Sequence, residues 1–190
     1  SDVYKRQVYN TSQNIMQYCD DTDWIAMGVA GAGSGGVCTG TTTSMSEIGT
    51  LVDDNRLRNA QDAVVSGNYA YVAATGGNNL AIVDISTPSN MSIVGTFEDS
   101  AINGLKNIDI SGNYIYGVTG SSDTFFVVDI SSPLSPSVAA SITNATTLED
   151  MAYIRVKGNY AYMTNEFGDR LTIVDISTPA SPSVVGTAGS

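Results

Sequence analysis

The sequence predicts an all-β fold built from three copies of one repeat. Residues 80–88 read Leu-Ala-Ile-Val-Asp-Ile-Ser-Thr-Pro, and close copies of this apolar stretch begin at Phe125 and Leu171. A Gly-Asn-Tyr triplet precedes each copy, so that both words recur about every 45 residues. Ser, Thr, Asn and Gly are abundant and strong helix formers are few, which favours strands and turns.

Each repeat contains four short β-type runs. In the first repeat they cover residues 63–66, 69–74, 80–85 and 92–97. The Gly-Asn pair between the first two runs predicts a tight hairpin turn with positive φ, and the turn glycines are Gly67, Gly112 and Gly158. Four antiparallel strands in about 45 residues form the unit of a β-propeller blade. We therefore predict a partial β-propeller of three four-stranded blades over residues 45–190.

A shorter word ends the first and third repeats. It reads Val-Gly-Thr at residues 94–96 and 185–187, and a similar Ile-Gly-Thr already occupies residues 48–50. This earlier occurrence predicts the closing strand of a preceding blade. Because three blades cannot close a ring, we expect the remaining blades of a longer protein as partners.

The repeated words resemble the LVIVD repeat of bacterial and archaeal β-propellers, over roughly residues 45–187. The resemblance implies a propeller of a kind often found on secreted or surface proteins. The second copy departs most, because Phe125 and Phe126 replace lighter residues and Ala-Ala-Ser at 139–141 replaces Val-Gly-Thr.

The N-terminal part has a different organisation. Residues 1–7 resemble translated sequencing-adapter sequence and are interpreted as a non-native leader. Residues 8–30 predict a small hairpin module, which resembles modules of phage tail-fibre-like and bacterial surface proteins in its Tyr-Asn, Gln-Tyr and Trp words. Residues 31–44 predict a Gly/Ser/Thr-rich linker. Cys19 and Cys38 flank its start; a disulfide between them would stabilise an exported protein by about 3 kcal/mol, and two free thiols are the alternative.

Composition disfavours several function classes. The net charge is −11, from 19 acidic and 8 basic residues, which is unfavourable for binding nucleic acid. No apolar run approaches the roughly 18 residues of a membrane span. The sequence contains no His, so it offers neither a Ser-His-Asp triad nor, with two cysteines, a tetrahedral zinc site.

Some polar residues recur in every repeat. Asp84, Asp129 and Asp175 each precede Ile-Ser-(Thr/Ser)-Pro, where a carboxylate can accept backbone N–H groups and fix a turn. We interpret them as structural, with a catalytic or metal-binding role as the alternative. Paired tyrosines recur likewise, and we predict that they pack between blades, with sugar stacking as the alternative. These pairs are Tyr69/Tyr71, Tyr114/Tyr116 and Tyr160/Tyr162.

Binding residues are expected where the repeats differ. In a propeller, the loops joining the second and third strands emerge on the same face as the links between blades, and these segments vary here. The predicted binding residues in them are Asn78, Asn79, Asp99, Asp123, Asn165, Glu166, Phe167, Asp169 and Arg170. Asp53 and Asp54 could hold Ca²⁺ weakly, although a solvated acidic rim is the simpler interpretation. No other cofactor is expected.

These observations favour a non-enzymatic binding or adhesion module of an exported or cell-surface protein, with a protein or glycan as ligand. Two rival hypotheses stay open. The chain could be the scaffold fragment of a larger secreted enzyme whose active site lies in missing blades or domains, or it could be a structural spacer.

Overall fold

The computed structural model describes residues 47–165 and 169–189 with their side chains, and the backbone of residues 7–10, 15–19 and 24–26. The chain divides into two compact units, residues 1–46 and residues 47–190. Within the described residues, no helix is long and apolar enough to cross a membrane.

The described part of the first unit is a three-stranded antiparallel sheet. Its strands are β1 (Gln7–Asn10), β2 (Ile15–Cys19) and β3 (Trp24–Ala26), paired in chain order. These strands lie in the region for which the sequence predicts a small hairpin module. The linker, Cys38 and the side chain of Cys19 lie outside the described residues, so the disulfide stays a prediction, as does the resemblance to tail-fibre modules.

The second unit consists of three four-stranded antiparallel sheets, here called blades 1 to 3, each paired in chain order. Blade 1 contains β4 (Ala60–Ser66), β5 (Tyr69–Ala74), β6 (Asn79–Asp84) and β7 (Ser92–Phe97). Blade 2 contains β8 (Leu105–Ser111), β9 (Tyr114–Thr119), β10 (Thr124–Asp129) and β11 (Ser137–Thr143). Blade 3 contains β12 (Met151–Lys157), β13 (Tyr160–Asn165), β14 (Arg170–Asp175) and β15 (Ser183–Gly189).

Short 3₁₀ turns cover Thr75–Gly77, Pro88–Asn90 and Ser100–Ile102. The described residues are thus almost entirely strands and turns, and they confirm the predicted all-β fold with three four-stranded blades.

The segment ahead of blade 1 differs from the prediction. Residues 47–50, which contain the Ile-Gly-Thr word, are not in a strand. Gly49 lies against the backbone of Pro88, so closely that a Cβ there would overlap the Pro88 carbonyl oxygen. A β-strand needs a hydrogen-bonded neighbour, and no described strand pairs with this segment.

The hairpin glycines adopt the predicted conformation. Gly67, Gly112 and Gly158 have φ of +57°, +58° and +59°. The following asparagines are not among the residues with positive φ, so only the first loop position is left-handed, as in a type II′ turn.

Two apolar cores hold the blades together. Tyr71, Leu80 and Ile82 of blade 1 pack with residues of blade 2 that include Leu105 and Ile108. Tyr116, Phe125 and Val127 of blade 2 pack in the same way with Met151, Ile154 and Met163 of blade 3. Tyr71 and Tyr116 are buried, which confirms for them the predicted packing between blades.

A β-bulge recurs in the first strand of every blade. The register shifts between Ala60 and Asp62, between Leu105 and Asn107, and between Met151 and Tyr153. The extra residues are Gln61, Lys106 and Ala152, which occupy equivalent places in the three repeats. A bulge bends its strand and redirects the extra side chain. The fourth strands are bulged too, at Val94, Ala139 and Val185.

Candidate functional site

Polar side chains join the first strands of the three blades. Asp62 Oδ2 accepts hydrogen bonds from Asn107 Nδ2 at 2.5 Å and from the Ile108 backbone N–H at 3.0 Å. Asn107 Oδ1 in turn accepts from the Ile154 N–H at 2.8 Å. The first strands of blades 1 and 2 therefore each present an acceptor to the backbone of the next blade, which sets β4, β8 and β12 side by side.

A second series of hydrogen bonds joins each second-to-third-strand loop to the link entering the next blade. Asn78 Oδ1 accepts from the Gly104 N–H at 3.1 Å, and Asp123 Oδ1 accepts from the Asp150 N–H at 3.1 Å. Asn78 and Asp123 have positive φ, +51° and +48°. We call these two contacts the loop latch. They confirm that these loops and the inter-blade links emerge on one face.

A shallow depression of about 310 Å³ opens on this face beside the bulged first strands. Its lining comes from the first strands of blades 1 and 2, from their loops and from the links that enter blades 2 and 3. The lining residues are Gln61, Thr75, Gly104, Lys106, Gly120, Ser121 and Asp150. Gln61 and Lys106 are the bulge residues of blades 1 and 2, so the bulges place their side chains at this site. We call it the bulge pocket.

The walls of the bulge pocket are closely packed. A Cβ on Gly104 would lie 2.6 Å from Ser121 Oγ, and one on Gly120 would lie 3.3 Å from Lys106 Cδ. Thr75 Oγ1 donates to the Leu105 carbonyl oxygen at 2.5 Å. Lysine, carboxylate, amide and hydroxyl groups thus surround one small volume, and they can donate to and accept from a polar ligand.

The predicted binding residues that the structure describes lie around this face, and none of these lines the bulge pocket. Several shape the loops instead. Asp99 Oδ1 accepts from the Ala101 N–H at 2.8 Å and caps the turn that follows, and Asn165 Oδ1 accepts from the Arg170 N–H at 2.9 Å. The Arg170 guanidinium donates to the Thr146 carbonyl oxygen, and Asn79 is buried.

The ligand-binding role of the remaining predicted residues stays a prediction. Asp169 is exposed, and Glu166 and Phe167 lie outside the described residues. The prediction did not single out Gln61, Lys106 or Asp150. Gln61 and Lys106 lie about 45 residues apart, each just ahead of the first predicted strand of its repeat, and this spacing is their signal in the sequence.

Asp53, a suggested calcium ligand, has protein partners. Its Oδ1 accepts from the Arg56 N–H at 2.6 Å and the Asn55 N–H at 3.1 Å, and its Oδ2 pairs with Arg56 Nη2 at 2.7 Å. These contacts with Arg56 hold the pKa of Asp53 below its ordinary value. Across residues 47–165 and 169–189, no three potential metal ligands cluster. A calcium ion at Asp53 and Asp54 would have to displace the guanidinium.

The recurring aspartates have the predicted turn geometry. Asp84, Asp129 and Asp175 each accept the backbone N–H of the serine two residues later, at 2.8, 2.7 and 2.8 Å. Hydrogen bonds from these serines lower the pKa of all three carboxyl groups. This is the opposite of the raised pKa expected of a carboxylate poised as a general acid.

The family model of the LVIVD repeat matches residues 57–99, 105–144 and 150–188. The chain belongs to the LVIVD-repeat family. The three matches coincide with the three blades, so the LVIVD repeat is here one four-stranded blade with part of its preceding link. No curated protein matches the chain.

Solved structures with the same fold share little sequence with this LVIVD chain. A functionally unknown protein from Desulfotomaculum acetoxidans matches with a TM-score of 0.60 and 15% identity over 70% of the chain. The β-propeller domain of Cps50 (Swd1) from Myceliophteria thermophila matches at 0.54, with 12% identity over 68% of the chain. The periplasmic gluconolactonase PpgL of Pseudomonas aeruginosa matches at 0.56, with 14% identity over 69%. The chain covers only 43%, 43% and 42% of these three structures, respectively.

Proposed function

We propose that this LVIVD chain is a non-enzymatic binding module of an exported or cell-surface protein, and that its variable loop face binds a protein or glycan. The proposal rests chiefly on the bulge pocket. Gln61 and Lys106, which line the pocket, occupy the same repeat position, so the bulge recurs while its side chain changes between blades 1 and 2. Such a change on a repeated scaffold is typical of ligand recognition.

The chemistry of the pocket supports binding more than catalysis. The pocket offers cationic, anionic and uncharged hydrogen-bonding groups from Lys106, Asp150, Gln61 and Ser121. A sugar or a peptide presents matching hydroxyl, amide and carbonyl groups. The sequence has no His to activate a serine as nucleophile.

The opposite face of the blades makes a natural reference surface. It carries the Gly-Asn hairpin turns and the Ser-(Thr/Ser)-Pro words, which hardly change between repeats. Lys157, next to the turn glycine Gly158, is exposed on this side. Its substitution changes the charge of the protein without touching the bulge pocket.

The test is a screen of the purified chain on a glycan microarray and an array of extracellular proteins. The variant Gln61→Ala/Lys106→Ala is compared with the matched charge control Lys157→Ala. We expect the first to weaken any specific signal about tenfold or more, or roughly 1.4 kcal/mol, and the control to leave it unchanged. Urea unfolding of each variant separates lost binding from lost folding.

The outcomes distinguish the hypotheses. A signal that survives both the double substitution and replacement of the variable loops contradicts the proposal. A structural spacer gives no signal on either array. The open reading frame of the full protein tests the proposed export to the cell surface or the medium. An export signal supports that proposal, and a fused catalytic domain favours the enzyme hypothesis.

A further inference from the structure

The link that enters blade 2 contains the one Asn-Gly pair of the sequence, Asn103-Gly104. Asn103 has φ of −59° and ψ of 124°, and Gly104 has φ of +72°, so the two are the central residues of a type II turn. The repeat equivalents of Gly104 are Asn59 and Asp150, which also have positive φ. The link into blade 2 therefore differs from its equivalents by having an asparagine followed by a glycine.

This pair has the chemistry for deamidation, and water is the only other reactant. The Gly104 nitrogen gives its proton to water and bonds to Asn103 Cγ, and the Cγ–Nδ2 bond breaks to release ammonia. The product is a five-membered succinimide ring, which water then opens. Opening at the side-chain carbonyl leaves an aspartate at position 103. Opening at the main-chain carbonyl leaves an isoaspartate, whose backbone runs through Cβ and is one atom longer.

Glycine favours this reaction because it has no Cβ to hinder the approach of its nitrogen to Cγ. The packing of blade 2 requires that glycine. A Cβ on Gly104 would lie 2.6 Å from Ser121 Oγ, in the wall of the bulge pocket. Asn103 is exposed, so water reaches the pair. The structure thus keeps a reactive pair of residues at the edge of the candidate binding site.

Hydrogen bonds hold the pair away from the reactive geometry. The Gly104 N–H donates to Asn78 Oδ1 at 3.1 Å, and the Gly104 carbonyl oxygen accepts from the Gly120 N–H at 3.1 Å. Ser122 Oγ donates to the Asn103 carbonyl oxygen at 3.2 Å. Ring closure needs the Gly104 nitrogen on the Cβ side of the Asn103 Cα–C bond, and at ψ of 124° it is turned away from Cβ. The peptide plane must therefore rotate, and the Asn78 hydrogen bond must break, before the ring forms.

We propose that Asn103 is a site of spontaneous deamidation, and that opening of the Asn78 contact of the loop latch sets its rate. The closed contact restrains the Gly104 nitrogen. Local opening between blades 1 and 2 releases it. Both products add a negative charge beside the bulge pocket, and the longer isoaspartate backbone displaces the Gly104 N–H from Asn78. Deamidation therefore makes the opening of this contact permanent. The inference goes beyond the proposed ligand-binding function and does not depend on it.

The test follows deamidation of the purified chain in mildly alkaline buffer, with and without urea. Trypsin releases residues 59–106 as one peptide, and mass spectrometry with electron-transfer fragmentation locates the modified residue and distinguishes aspartate from isoaspartate. We expect Asn103 to be modified faster than Asn90, which is exposed in the same peptide and precedes a methionine. We also expect Asn103 to react more slowly in the folded chain than in urea.

Two variants test the role of the latch. Asn78→Ala is expected to speed deamidation of Asn103 about two- to tenfold, because losing one hydrogen bond of ordinary strength raises the open population by that factor. Asp123→Ala removes the equivalent contact between blades 2 and 3 and is the matched control, expected to leave the rate unchanged. A third variant, Asn103→Gln, is expected to stay unmodified and to keep its urea midpoint on storage, while the midpoint of the parent protein falls.

Three results would overturn the proposal. Deamidation of Asn103 no faster than that of Asn90 removes the site. Equal rates for Asn103 in the folded and the urea-unfolded chain show that the fold does not restrain it. Equal acceleration by Asn78→Ala and Asp123→Ala assigns the effect to general stability rather than to the contact with Gly104.

Discussion

The ring of Phe126 lies directly over the Cα of Gly117, its cross-strand partner between β9 and β10. A Cβ on Gly117 would overlap Phe126 Cζ and would lie 2.7 Å from Cε2. The equivalent cross-strand pair is Val72 with Ala81 in blade 1. In blade 2 the larger side chain is therefore on the third strand and the smaller residue on the second, the reverse of blade 1. The absence of a side chain at Gly117 makes room for Phe126.

This exchange predicts strong coupling between the two positions. Gly117→Val is expected to destabilise the protein by about 1–3 kcal/mol through overpacking, and Phe126→Ala by about 3–5 kcal/mol through a cavity. The double variant recreates the Val-Ala pair of blade 1 and should recover part of the loss, with a coupling energy of about 0.5–3 kcal/mol. Urea unfolding of the four proteins measures it, and strictly additive effects would contradict the explanation.

A second prediction concerns the asparagine between the first strands. Asn107→Ala leaves the Ile154 N–H and the Asp62 carboxylate without this partner, and it should cost about 1–3 kcal/mol in unfolding free energy. Asp62→Ala removes the other side of the contact, so the double variant should cost less than the sum of the two. Thermal or urea unfolding checks this. If the Asp62 and Asn107 effects simply add, the two side chains do not act as one unit.

The hairpin turns predict a contrast between two glycines of blade 3. Gly158 has φ of +59°, and Gly186 does not have positive φ; neither has an atom within 4 Å of the position of a Cβ. Gly158→Ala is expected to cost about 1–2 kcal/mol because an L-residue is strained in this conformation. Gly186→Ala has no such penalty and should remain within about 0.5 kcal/mol of the parent protein. Equal unfolding free energies for the two variants would show that the turn tolerates side chains.

The repeated aspartates predict an acid-dependent stability. Asp84, Asp129 and Asp175 have a lower pKa in the folded protein than their ordinary value of 3.8. Their stabilisation is therefore complete above that ordinary value and is lost as the pH falls through the lower pKa of the folded state. We expect the urea midpoint to decrease as the pH is lowered through that range. Asp→Asn substitution at all three positions should reduce the slope of the urea midpoint against pH. An unchanged slope would assign the acid sensitivity to other groups.

The sequence predicts the blades well because their determinants are local. The run at 69–74 and the run at 92–97 match β5 and β7 to the residue, since alternating apolar residues and a Gly-Asn turn specify strand and hairpin within a few positions. The start of β4 was missed by three residues. Gln61 and Asp62 are polar there, and strand pairing across a bulge depends on β5 rather than on their own pattern.

The candidate site was predicted less well for the same reason. The polar character of Asn78 and Asp123 is visible in the sequence, and it suggested ligand contacts. Their positive φ and their partners, 26 and 27 residues further on, are properties of two packed blades. Gln61 and Lys106 are the opposite case, because the sequence did not single them out. No local pattern predicts the bulges that bring their side chains to the pocket.

The inter-blade hydrogen bonds have a consequence for the order of unfolding. The acceptors Asp62 and Asn107 and the loop latch each join one blade only to the next. The stability of the array should therefore be close to the sum of the stabilities of the blades and of the interfaces between neighbours, and blade 2 has such an interface on both sides. Amide hydrogen exchange should accordingly be slowest in β9 and β10 and faster in β14, so that the array frays from its open end before it melts as a whole.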